Sequence, residues 1–148
     1  MESYDSDGDG SLSSAELVKS PALTSAKERV DANDDDAISA DEIAQRIKVY
    51  DSQSSFVPVT VQLRLGGRPL EMATVTFAPE SFMGEMQSFT GVSDATGYVM
   101  LSGEEQKLPG LPQGFYTITI TREGGEQTIQ GCEIADDVPE VSRMTFNL

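Results

Sequence analysis

Residues 5–16 of this 148-residue chain begin with three aspartates at alternate positions, and a glycine then lets the backbone turn sharply. The stretch reads DSDGDGSLSSAE, with glycine at its sixth position and glutamate at its twelfth. Ca²⁺ binds about six to eight hard oxygen ligands, so a short segment can hold the ion only by wrapping around it. This spacing therefore predicts a calcium-binding loop. Its predicted ligands are Asp5, Asp7, Asp9, the Ser11 carbonyl, Ser13 and Glu16, whose carboxylate would bind through both oxygens.

A second loop follows at residues 31–42, DANDDDAISADE. Only a register that begins at Asp31 places an acidic residue at the twelfth position. The predicted ligands are then Asp31, Asn33, Asp35, the Ala37 carbonyl, Ser39 and Glu42. Asp36 stands where the first loop has glycine, and a non-glycine residue in the left-handed conformation costs about 1–2 kcal/mol. We therefore expect this loop to bind Ca²⁺ more weakly, or to brace the first loop without metal.

Together the two loops resemble the EF-hand family of calcium-binding proteins, and the resemblance covers residues 1–50. Only four residues precede the first loop, so we expect the entering helix of the first hand to be missing or to lie in sequence before it. Residues 17–30 alone separate the loops, and Pro21 divides them into two predicted helices, 13–20 and 22–30. Because the two loops are so close, the helices have little room to open a groove for a target protein. This favours a structural role over a calmodulin-like sensor.

A third helix is predicted at residues 39–50, with Ile43, Ile47 and Tyr50 at helical spacing. The other apolar residues of this predicted core are Leu12, Leu17, Val18, Leu23, Val30 and Ile38, of which Leu12 and Ile38 fill the eighth position of each loop. Chains of about 50 residues rarely bury enough apolar surface to fold alone. We therefore expect Ca²⁺ to stabilise residues 1–52 as a first domain that folds poorly without it.

The acidic charge of the chain limits its partners. Residues 1–52 hold 13 acidic and five basic residues, and residues 53–148 hold 12 and five, which gives −8 and −7 and a net charge of −15. Such a balance repels nucleic acid and anionic membranes. No apolar run approaches the roughly 20 residues that span a bilayer. We expect a secreted, periplasmic or cell-surface protein whose signal peptide has been removed.

Histidine is absent from the chain, and this absence limits catalysis. Without histidine the chain cannot build Ser-His-Asp or Cys-His nucleophiles, and it lacks the commonest general base and a frequent ligand of catalytic zinc. Cys132 is the single cysteine, so no internal disulfide can form, and we expect it to be a small apolar residue on a strand. The sequence therefore predicts a non-catalytic protein.

Strict alternation replaces helical spacing after residues 51–55. The segment VPVTVQLRL, residues 57–65, alternates apolar with polar side chains, which is typical of a half-buried strand. Further strands are predicted at residues 72–79, 88–92, 98–102, 115–122, 127–132 and 141–148. Seven short strands separated by turns favour an antiparallel β-sandwich over residues 53–148. The predicted fold class is thus α+β, with a helical domain at residues 1–52 and a sandwich after it.

Three segments of the second domain, GRPLEMATVTFAPE, SDATGYVML and LPGLPQGFYTITIT, resemble carboxypeptidase-regulatory-like domains. The resemblance implies a transthyretin-like (prealbumin-like), Ig-like sandwich of the kind common in bacterial exported proteins. It implies no catalytic residue, because enzymes of similar architecture, such as hydroxyisourate hydrolases and intradiol dioxygenases, depend on histidines.

The LPQGFY segment is also similar to collagen-adhesin B-type domains, some of which form a Lys–Asn isopeptide bond. Here Asn147 lies on the last predicted strand, but Lys107 is the only lysine after residue 52 and falls in a predicted loop. We therefore expect no such bond.

Three functions remain open. We favour a calcium-stabilised structural or adhesive module of an exported bacterial protein. A dockerin-like docking module is an alternative, although Glu16 and Glu42 stand where dockerins usually have Asp, and Ser14–Ala15 and Ala40–Asp41 lack the usual hydroxyl pair. An accessory part of a larger secreted enzyme is the third.

The apolar segment ESFMGEMQSF, residues 80–89, is expected to pack locally or to contact a protein partner.

Overall fold

Three helices and a two-stranded ladder make up the N-terminal part of the computed structural model, which describes residues 1–51, 56–103 and 110–148. The helices are α1 (Ser14–Leu17), α2 (Pro21–Val30) and α3 (Ala40–Asp51), and the strands are β1 (Ser11–Leu12) and β2 (Ile38–Ser39). Pro21 at the first position of α2 and the Ser20 hydroxyl, which accepts a hydrogen bond from the Leu23 N–H at 3.3 Å, set the start of this helix. The helix predicted at residues 13–20 is reduced to the single turn of α1.

Two four-stranded sheets and one two-stranded sheet form the rest of the described chain. The strands are β3 (Phe56–Val57), β4 (Thr60–Leu65), β5 (Arg68–Pro69), β6 (Thr74–Pro79), β7 (Phe89–Val92), β8 (Tyr98–Val99), β9 (Leu111–Pro112), β10 (Gly114–Thr121), β11 (Gln127–Ile134) and β12 (Arg143–Asn147). Sheet one has the order β11-β10-β6-β7 with antiparallel neighbours throughout. Sheet two is built on β4, which pairs with β12, β5 and β8, while β3 pairs with β9. The architecture is α+β with a β-sandwich-like second part.

The direction and number of strands differ from the sequence-based expectation. Each of the seven predicted strands has a counterpart, but the described residues also contain β3, β5 and β9. The antiparallel prediction is wrong for β12, which runs parallel to β4 with Arg143 opposite Thr60. The chain reaches β12 from sheet one through residues 135–142, which include a 3-10 helix (Pro139–Ser142), rather than through a hairpin. Alternation of side chains carries no information about strand direction, so the sequence could not show this.

The alternating apolar residues form the core. The predicted inward residues Ala73, Val75 and Phe77 are fully buried, and Ile118 and Ile120 face them from β10. The partner residues from sheet two are Val61 and Leu63, also fully buried. Buried residues of the helices and of both sheets belong to one contiguous apolar cluster.

The helices pack on the face of sheet one that carries Gly131 and Phe115, opposite the face that carries Ile118 and Ile120. Gly131 of β11 lies directly beneath the start of α2, so close that a Cβ atom there would sit 2.0 Å from the backbone nitrogen of Ala22. On the neighbouring strand β10, the ring of Tyr50 in α3 packs edge-on against Phe115, with centroids 5.9 Å apart. The helical part therefore rests on β10 and β11 and shares its core with them.

The apolar segment at residues 80–89 packs locally. Phe82 contacts Phe115 and Tyr4 edge-on, at centroid distances of 5.6 and 6.1 Å, and Met83 and Met86 are partly buried against the core. This arrangement confirms local packing.

Within the described ranges, no helix is long and apolar enough to cross a membrane. The predicted boundary at residues 52–53 and Lys107 lie outside the described residues.

Candidate metal centre

The first acidic loop is organised around the Asp5 carboxylate. One oxygen accepts a hydrogen bond from the Gly8 N–H at 2.7 Å and the other from the Gly10 N–H at 3.0 Å. Both glycines adopt positive φ angles, 76° and 88°, a conformation that L side chains rarely adopt. The loop thus folds back over its first residue, as the glycine at its sixth position predicts.

Three of the predicted ligands converge. Oxygens of Asp5, Asp7 and Asp9 all lie within 4.8 Å of one another, and these three form the sole such carboxylate group among the described residues. Asp7 and Asp9 accept hydrogen bonds from the backbone N–H two residues further on, at 3.2 and 2.8 Å. These bonds fix the carboxylates in short local turns and point their remaining lone pairs toward a shared space.

Glu16 closes the loop from its far end. Its carboxylate accepts hydrogen bonds from the Ser6 N–H at 2.6 Å and from the Ser13 N–H and hydroxyl at 3.0 and 2.8 Å. These bonds, the one from Ser6 foremost, lower the pKa of Glu16 to about 2. Glu16 is therefore ionised at neutral pH, and it stands outside the group formed by the three aspartates. Ser11, whose carbonyl is a predicted ligand, lies within the loop at the start of β1.

The second loop repeats this hydrogen-bond pattern. Asp31 accepts bonds from the N–H groups of Asp35 and Asp36 at 3.2 and 3.0 Å, and Glu42 accepts bonds from the N–H groups of Ala32 and Ser39 at 3.0 and 2.8 Å. The middle predicted ligands, Asn33 and Asp35, accept bonds from the N–H groups of Asp35 and Ala37 at 3.0 and 2.9 Å. The bonds to Glu42, led by the one from the Ser39 N–H, lower its pKa.

Asp36 adopts the left-handed conformation that the sequence requires of it, with φ of 69°. Lys27 of α2 forms an ion pair with its carboxylate at 2.8 Å, and this contact lowers the pKa of Asp36. The Asp36 side chain is 89% exposed, so the ion pair offsets little of the backbone strain. The backbone strain at Asp36 thus remains a physical reason to expect weaker Ca²⁺ binding in the second loop.

The two loops are joined back to back. β1 and β2 pair antiparallel, with Leu12 opposite Ile38 and Ser11 opposite Ser39. Both apolar residues are fully buried, as predicted for the eighth position of each loop. The ladder therefore holds the two loops side by side.

Two buried carboxylates of sheet one were missed by the sequence analysis. Glu80 and Glu133 are only 6% and 1% exposed, and both bind residues of the helical part. Glu133 lies beyond the strand predicted at residues 127–132, but β11 continues through it to Ile134. The signal that could have revealed it is its position between Cys132 and Ile134, two apolar residues.

No protein-family model matches the chain, and no curated protein sequence matches it significantly. Among solved structures, the chain is similar to a variant of BcpA, the major pilin subunit of Bacillus cereus, at 17% sequence identity and a TM-score of 0.37. The match covers 62% of this chain and 29% of the pilin chain, so this chain spans less than a third of that protein. At this level the likeness assigns no family.

Proposed function

We propose that this protein binds Ca²⁺ in loops 5–16 and 31–42 and serves as a non-catalytic structural or adhesive module of an exported or cell-surface bacterial protein. The observation that carries this proposal is the convergence of Asp5, Asp7 and Asp9 within 4.8 Å. Three negative charges so close repel one another, and a divalent cation between them would replace that repulsion with coordination. The donors are hard oxygens, which suit Ca²⁺.

A stabilising role fits the packing better than a sensor role. The helices that flank the loops are bonded to sheet one through Glu80 and Glu133, so they have little freedom to swing apart. If Ca²⁺ binds the folded and not the unfolded state, it stabilises the fold by about 2.7 kcal/mol when the free Ca²⁺ concentration is 100 times the Kd. The location outside the cytoplasm rests on the resemblance of the sandwich sequence to domains of exported proteins.

Calorimetric titration should resolve two binding events, and each should be removed by one substitution. Glu16→Gln is expected to abolish the tighter event and Glu42→Gln the weaker one, since each takes one bidentate ligand from its loop. Glu126→Gln, on the exposed hairpin between β10 and β11, is the matched control and should leave both events unchanged. A Kd of about 10⁻⁴ to 10⁻³ M would fit an extracellular module, whereas about 10⁻⁷ to 10⁻⁵ M would favour a sensor. Absence of heat in the wild-type protein, together with a melting temperature that Ca²⁺ leaves unchanged, would refute the proposal.

Removal of Ca²⁺ should loosen residues 1–51 while the sheets persist. In excess chelator we expect part of the helical circular dichroism signal, from the helix ends beside the loops, to be lost and the melting temperature to fall by about 5–10 °C, because the carboxylate repulsion returns and the stabilisation by bound Ca²⁺ is removed. Readdition of Ca²⁺ should restore both quantities, and Mg²⁺ at the same concentration should restore them less. An unchanged spectrum and melting temperature in chelator would contradict a stabilising role.

A further inference from the structure

Glu80 binds the chain on both sides of the first loop. One of its carboxylate oxygens accepts a hydrogen bond from the Tyr4 hydroxyl at 2.7 Å, and the other accepts one from the Ser20 hydroxyl at 3.0 Å. Tyr4 immediately precedes the loop and Ser20 follows it by four residues. Thr117 of β10 donates a third bond, also at 3.0 Å, which holds the carboxylate on sheet one. A single buried group of the sandwich thus fixes both ends of this loop.

Glu133 does the same for the second loop. One oxygen accepts a hydrogen bond from Arg29 Nε at 2.7 Å, two residues before the loop. The other accepts bonds from the Tyr50 hydroxyl at 2.6 Å and from Arg46 Nε, both on the helix that follows the loop. The Glu133 side chain is fully buried. The two loops are therefore held in the same way by two different carboxylates, one for each loop.

We propose that Glu80 and Glu133 are positioning residues for Ca²⁺, each of which pre-orders one loop; this inference rests on the proposed function. A flexible loop must lose conformational freedom when it wraps around an ion, and this loss subtracts from the binding free energy. Bonds that hold both ends of the loop in place reduce the loss before the ion arrives. For the first loop, the bond between Tyr4 and Glu80 fixes the chain directly before the first ligand.

Simple attachment of the helices to the sheet does not require this arrangement. Gly131 beneath α2 and the Tyr50–Phe115 contact already seat the helices on sheet one through close packing. Each carboxylate instead binds residues on both sides of one loop and none of the other, which points to a further role. If the carboxylates pre-order the loops, loss of a bond to one carboxylate should weaken Ca²⁺ binding in its own loop only. If they merely attach the helices, loss of a bond to either one should weaken Ca²⁺ binding in both loops alike.

The matched variants Tyr4→Phe and Tyr50→Phe separate these cases, because each removes one hydroxyl from one carboxylate and keeps the ring contacts with Phe82 or Phe115. Each is combined with Glu42→Gln, which leaves only the first loop to bind, and with Glu16→Gln, which leaves only the second. With the first loop alone, Tyr4→Phe should weaken Ca²⁺ binding roughly three- to tenfold and Tyr50→Phe much less. With the second loop alone the order should reverse. Equal effects of the two variants in both backgrounds, or no effect in either, would overturn the proposal.

Amide hydrogen exchange in chelator gives a second readout that does not depend on Ca²⁺. Tyr4→Phe should speed exchange of the N–H groups at residues 8–11, and Tyr50→Phe should speed exchange at residues 35–37. Uniform acceleration across both loops, or none, would contradict pre-ordering. If the wild-type protein binds no Ca²⁺ but each variant still speeds exchange in its own loop, the proposed function alone is refuted. The two failures are therefore distinct.

Discussion

A single methyl group added at Gly131 is expected to force α2 off sheet one and to destabilise the whole protein. A Cβ atom at this position would lie 2.0 Å from both the Ala22 nitrogen and the Pro21 carbonyl carbon, and 2.3 Å from the Pro21 oxygen. Real Cβ contacts essentially never fall below 3.0 Å, and the atoms it meets belong to the backbone, which cannot rotate aside. The helix must therefore move as a body. This displacement would open the packing of Ala22, Leu23 and Ala26, all fully buried.

The expected cost of Gly131→Ala is about 3 kcal/mol or more, at the upper end of what overpacking of a core usually costs. For a chain of this length it corresponds to a fall of about 6–12 °C in the melting temperature, measured by thermal unfolding. Gly124→Ala is the control, because its Cβ would meet nothing within 4 Å and its φ lies outside the left-handed region. Equal melting temperatures for the two variants would mean that α2 does not rest on this strand.

Local sequence patterns account for the loops and most strands because their causes are local. The turns at Gly8 and Gly10 follow from the need for positive φ, and the start of α2 follows from Pro21. The alternation at residues 72–79 places Val75 and Phe77 correctly in the core. In each case the residues that decide the structure lie within a few positions of one another.

Contacts across about a hundred residues could not be predicted in this way. Arg29 and Glu133 are 104 positions apart, and no periodicity connects them. Gly131 reads as a weak point in a strand, yet its missing side chain is what allows a helix to approach. The expectation of a helical domain with its own small core also changes, because that core continues into the sandwich. Ca²⁺ is thus expected to order loops on a supported framework.

The Glu133 carboxylate lies in a cluster of opposite charges. Arg29 and Arg46 bind it, and Arg46 also donates two hydrogen bonds, at 2.7 and 2.8 Å, to Asp137, which raise the pKa of Arg46. Burial, and next the negative charge of Glu133, raise the pKa of the Tyr50 hydroxyl, so it stays protonated and donates to the carboxylate. Two cationic and two anionic groups therefore meet where α2 and α3 contact sheet one.

Glu133→Gln is expected to destabilise the protein by about 3 kcal/mol, because Arg29 loses its ion-pair partner, Arg46 keeps only Asp137, and hydrogen bonds to a buried carboxylate oxygen are lost. Glutamine keeps the volume, but its amide NH₂ cannot accept the bonds that one carboxylate oxygen accepts. The melting temperature should fall by about 6–12 °C. Glu126→Gln is the matched control: that side chain is 68% exposed and pairs with Arg122, in an ion pair of a kind worth about 0–1 kcal/mol. If both variants melt at the same temperature, packing rather than charge holds the helices on the sheet.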